Sequence, residues 1–159
     1  MIYVWPVSFP SRYVRIMNGN GRKEDQSPAL ILCLVDFSES SNRALQWTVQ
    51  MAHVLHAHVT VLHVFRLLQS KNGEALLLKK AKEADAISHF VELERSLLRG
   101  QDVSYDFKTE VGFITDRIDD YTKKNVIQFL VTDKNMTEQN KESFDELIKK
   151  IQIPMVIVP

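Results

Sequence analysis

Short apolar runs alternate with segments of helical period along this chain, and that alternation most limits what it can fold into. Ala29 to Val35 (ALILCLV) is a continuous apolar run, as expected of a strand covered on both faces. Asp36 to Ser41 (DFSESS) interrupts it and offers several helix N-caps. Ala44, Leu45, Thr48, Met51, Ala52 and Leu55 then recur at helical spacing. Val59 to Phe65 predicts a second strand, and Glu74 to Leu98 a long helix that Gly100 can end. Val103 to Val111 alternates like a half-exposed edge strand and stops at Gly112. Ile114, Ile118 and Tyr121 outline a short helix, and Val126 to Val131 a fourth strand. Phe144, Leu147, Ile148 and Ile151 mark one face of a last helix, and Pro154 to Pro159 a fifth strand. Strands that alternate with helices imply a parallel sheet with right-handed crossovers, that is, a flavodoxin-like or related α/β domain.

The 159 residues suit one domain. Asn18 to Pro28 (NGNGRKEDQSP) reads as a linker, so residues 1–28 are an extension and linker and 29–159 the α/β domain. Met17 is read as the natural start, with residues 1–16 an added segment. Pro6 and Pro10 interrupt that segment, which makes a poor secretory signal. No apolar run reaches the roughly 18 residues needed to span a bilayer, and a membrane is not expected as a partner. A formal net charge of zero argues against a nucleic-acid binder working by bulk charge. The single cysteine, Cys33, forbids an internal disulfide framework; a reducing, cytoplasmic setting is expected.

Candidate chemistry is sparse. His53 and His56 stand near a helix end with His58 close behind, but no cysteine or clustered carboxylate joins them at a ligand spacing. His58 and His63 lie five residues apart in a strand and so point to opposite faces. No metal site is expected. Cys33 reads as a small core residue. Ser38, Ser40 and Ser41 form no nucleophile elbow, and no catalytic constellation is found, so no enzyme is expected. The LLLKKAK stretch in the long helix suits an acidic partner or a solvated face.

The segments ILCLVDFSESSNRALQWTVQMA, VTVLHVF, EVGFITDRI and IPMVIVP, in that order and spacing, resemble the universal stress protein family. The resemblance covers roughly residues 29 to 159 and implies a five-stranded parallel sheet in the order 3-2-1-4-5 with helices on both faces. It implies that Asp36 helps hold a nucleotide and that backbone near Val64 meets the adenine. In ATP-binding members a glycine motif, G-x2-G-x9-G-[ST], follows the fourth strand and brings backbone N–H groups against the phosphates. This chain departs there. No glycine follows Gly112; the first motif position falls at Asp133 and the last pair at Lys141 and Glu142, too close together for the motif. A carboxylate about 4 Å from a phosphate charge costs roughly 1 kcal/mol in water and about 4 near a protein surface, which Lys134 and Lys141 offset only in part.

ATP is therefore disfavoured, and no cofactor is assigned. Two readings follow. One is a non-catalytic, regulatory stress-response protein. The resemblance implies that it is a homodimer through Met155, Val156, Ile157 and Val158 of the last strand. The other is an adenine-nucleotide sensor using Asp36, Val64 and a non-standard loop from Asp133 to Thr137.

Overall fold

The computed structural model describes residues 28–67 and 74–159. The extension at residues 1–27, with Met17, lies outside the described residues. The elements are β1 (Leu30–Leu34), α1 (Glu39–Leu55), β2 (His58–Phe65), α2 (Ala75–Leu93), β3 (Ser104–Val111), α3 (Ile114–Lys124), β4 (Phe129–Asp133), α4 (Lys134–Gln139), α5 (Lys141–Lys150) and β5 (Met155–Val158). A π-helical turn, Glu94–Leu98, continues α2.

All strand pairs are parallel, and the order is β3-β2-β1-β4-β5. β1 is central because its sequence is apolar on both sides: Ile31, Leu32, Cys33 and Leu34 are each 0% exposed. Its alternate residues feed two cores. Ile31, Cys33 and Val35 meet Ala44, Leu45, Val49 and Ala52 of α1 and Ala86, Phe90 and Leu93 of α2. Leu32 and Leu34 meet Ile118 of α3, Met136 of α4 and Phe144 and Leu147 of α5. Cys33 sits in the first core, where burial above all pushes its thiol up to about 12 despite the bond from Thr48. It is a packing residue, as read from its setting.

α1 begins where Ser38 accepts from the Ser41 N–H, and ends where His56 turns left-handed at φ 52°. Two placements differ from the sequence reading. β4 starts at Phe129, three residues later than Val126, whose side chain is almost wholly in solvent. It ends on Thr132 and Asp133, both buried polar residues that a hydropathy pattern assigns to a loop. The segment after it contains α4, a single short helix with one buried residue, Met136, and hence no periodic signal.

Candidate functional site

In an open parallel sheet, ligands gather beyond the carboxyl ends of the strands where the order reverses. Here β1 and β4 are neighbours and the chain leaves them in opposite directions, so the reversal lies between the turn after β1 and the turn after β4. A cavity of about 200 Å³ opens there, lined by Asp36 of the first turn, Val64 of β2, and groups from α3, α4 and α5.

Asp36 faces this cavity from an ordered turn. Its Oδ1 accepts the Ser38 N–H at 2.9 Å, and its own N–H donates to Ser41 Oγ at 3.3 Å. Partial burial works against the charge, but the bonds from Ser38 and Ser41 outweigh it and hold the carboxyl below its usual range. Asp36 is thus an ionised acceptor at neutral pH. Phe37 follows with φ 65°, a left-handed backbone unusual for a bulky side chain.

Arg66, just beyond β2, supplies the opposite charge. Its guanidinium lies 4.3 Å from the centroid of the Phe113 ring, a cation–π contact across the cavity mouth. Gly112 makes the turn that places Phe113: its φ is 142°, and an added Cβ would lie 3.2 Å from Arg117 Nε. The remaining wall carries Thr115, Gln139, Asn140 and Ser143. Among the described residues, no histidine or cysteine lines the cavity. Among those residues its lining offers one carboxylate, one guanidinium, amides and hydroxyls beside the apolar Val35, Val64, Ile114 and Met136.

Asp36 and Val64 thus meet in one cavity, and Asp133 does not join them. Asp133 is 0% exposed. Its Oδ1 accepts the Ser40 hydroxyl at 3.0 Å and the Met136 N–H at 3.1 Å. Asn135 Nδ2 donates to the same Ser40 oxygen at 3.1 Å. The carboxylate is a cap and a cross-link from β4 to the head of α1. Its assignment to a loop failed because the strand runs two residues further than its apolar stretch. The sequence reading had Gly112 ending the third strand but missed Arg66 and Phe113, and missed that Gly112 lines the cavity. All three follow strand ends, and strand ends in this topology were the one available signal.

The histidines divide as their spacing indicated. His58 bonds Ser104 Oγ at 3.0 Å and Asp106 Oδ1 at 2.9 Å. His63, on the other face, bonds the Val35 carbonyl at 2.8 Å and packs on Phe37. Burial, foremost, holds His63 below the usual histidine range. Among the described residues, no three His, Cys, Asp or Glu side chains are grouped to hold a metal ion. No helix among them is long and apolar enough to cross a membrane.

The fold is that of an open parallel α/β sheet with a cleft at its switch point. Residues 30–136 match the model of the universal stress protein family, and the chain belongs to that family. No curated protein matches the chain. Among solved structures, universal stress protein UspA from Lactobacillus plantarum superposes with a TM-score of 0.67 at 18% identity, covering 82% of this chain and 97% of that one. The Archaeoglobus fulgidus universal stress protein in complex with dAMP gives 0.56 at 15% identity, covering 84% and 98%. An Arabidopsis thaliana family member with AMP bound gives 0.55 at 18%, covering 82% and 91%. At these identities the likeness establishes the fold. Family membership makes this a protein of the stress-response type.

Proposed function

We propose that this is a regulatory, non-catalytic stress protein that acts as a homodimer and does not hold ATP tightly. One observation carries the reading. A phosphate chain at this site needs free backbone N–H groups after β4. Here β4 runs directly into α4, and the Asp133 carboxylate already takes the Met136 N–H at 3.1 Å. That side chain occupies a backbone donor a phosphate would need, and no glycine follows Gly112 to let the backbone open around it.

The Asp36 and Arg66 cleft favours a second reading, an adenine-nucleotide sensor with altered phosphate contacts. Relatives solved with AMP and dAMP lend it support. Calorimetric titration of ATP-Mg, after testing denatured protein for co-purified nucleotide, separates the two. Absence of heat at millimolar ATP is expected. Micromolar binding, or released adenine nucleotide, overturns the first reading and puts the sensor in its place.

A further inference from the structure

The first two turns of α2 bury little. From Ala75 to Lys82 every residue is exposed except Lys79, which is half-buried, and burial begins only at Glu83 and Ala86. The helix overhangs the sheet there. A solvated overhang should be polar all round, yet Leu76, Leu77 and Leu78 are 60%, 69% and 44% exposed. Three large apolar side chains in succession make a patch, and such patches mark contact surfaces. Lys79, Lys80 and Lys82 follow directly, with no acid between Ala75 and Lys82. Glu83 meets Lys79 at 3.8 Å, so Lys80 and Lys82 are the cations outside that pair, between Glu74 at the head of the helix and Asp85 beyond them.

Two features of this tip select its occupant. Successive helical residues are turned by about 100°, so the three leucines fan over about 200°. A rigid protein groove covers one side of a helix; a fluid interface closes around it. A second copy is disfavoured as well. A two-fold interface sets a patch against itself, and the lysines of the two tips would meet. An anionic fluid surface satisfies both the leucines and the lysines.

We propose that the head of α2, Ala75 to Lys82, docks peripherally on an anionic lipid surface, its leucines entering the interface and its lysines at the headgroups. The expectation of no membrane partner rested on spanning length and says nothing about peripheral contact. This docking is independent of the cleft and of the β5 edge.

Cosedimentation of the full chain with phosphatidylcholine vesicles, with and without phosphatidylserine, tests it. Pelleting with the anionic vesicles alone, weakening as salt rises, is expected. Leu76→Ser with Leu77→Ser should weaken it by at least about tenfold. Lys80→Gln with Lys82→Gln should weaken it by about twenty-five-fold, each lysine being worth about fivefold. These side chains are exposed, so circular dichroism and Tm should not change. No pelleting, equal pelleting on neutral vesicles, or full retention by both variants would overturn the proposal. So would a leucine variant whose oligomer mass falls in light scattering, which would make the tip an interface between copies.

Discussion

Phe37 shows how a single residue shapes the site at some expense in stability. An L-residue in the left-handed region costs roughly 1–2 kcal/mol, and Phe37 sits there at φ 65°. Its ring offsets that cost. It lies 4.7 Å from His63, 5.2 Å from His89 and 6.2 Å from Phe107 between centroids, and such contacts are worth about 0.5–1.5 kcal/mol each. Phe37→Ala loses the ring and keeps the strain; Phe37→Gly loses both. The glycine variant should therefore be the more stable of the two by about 1 kcal/mol in urea unfolding, the reverse of the ordinary ranking. An alanine variant as stable as the glycine one would show that the turn carries no strain. None of this was legible in the sequence. DFSESS announces a cap, and Ser38 is that cap, but phenylalanine carries no signal for a left-handed turn as glycine or asparagine does.

At the scale of elements, the β2–β3 pair carries a polar network on its outer strip. Asp106 accepts from Thr60 Oγ1 at 2.6 Å, bonds His58 Nε2 at 2.9 Å, and lies 3.5 Å from Lys108 Nζ. Partial burial would raise its pKa, but the bonds from His58 and Thr60 and the charge of Lys108 prevail and lower it. A carboxyl depressed in the folded state contributes stability above its unfolded pKa of about 3.9 and loses it as pH falls through the folded value. Asp106→Asn should be less stable than the parent at neutral pH by about 1–2 kcal/mol. The gap should close as pH falls below about 4. Urea midpoints taken across that range check this, and a gap that does not change with pH would refute it.

The same scale shows why some elements were readable. β1, α1, β2 and β3 have unbroken apolar or alternating patterns, and their sequence-based bounds fall within a few residues of the observed ones. β4 was displaced because Thr132 and Asp133 are buried by their hydrogen bonds and neighbours, not by hydropathy, and α4 was read as a loop because it buries only Met136. The overhang of α2 was invisible for a related reason: LLLKKAK has helical composition, and only the finished packing reveals which turns the sheet leaves uncovered.

For the whole molecule, the sheet among the described residues ends in two edge strands with different chemistry. β3 presents Asp106, Lys108 and Glu110 in alternation, and charges of this kind blunt an edge. β5 presents Met155, Val156, Ile157 and Val158, half-buried or exposed and wholly apolar. The homodimer proposed above uses that edge. Val156→Lys should give monomers by light scattering. Ile157→Lys, at a position 46% exposed, repeats the test without disturbing the core. Dimers that persist in both would remove β5 from consideration. The strand order itself was available from the family resemblance; periodicity alone stops at a parallel α/β sheet.

The bond between Asp133 and Ser40 joins residues 93 positions apart. α4 has six residues, too few to persist by itself, so its start is fixed only when β4 has taken its place beside β1. Chains emerge from the ribosome N-terminus first. β1 and β2 are therefore made long before Asp133, and until it arrives the far wall of the cleft does not exist. A nascent chain holds the Asp36 side of the cleft without its counterpart, and whatever this cleft receives must wait until β4 and α4 have been made.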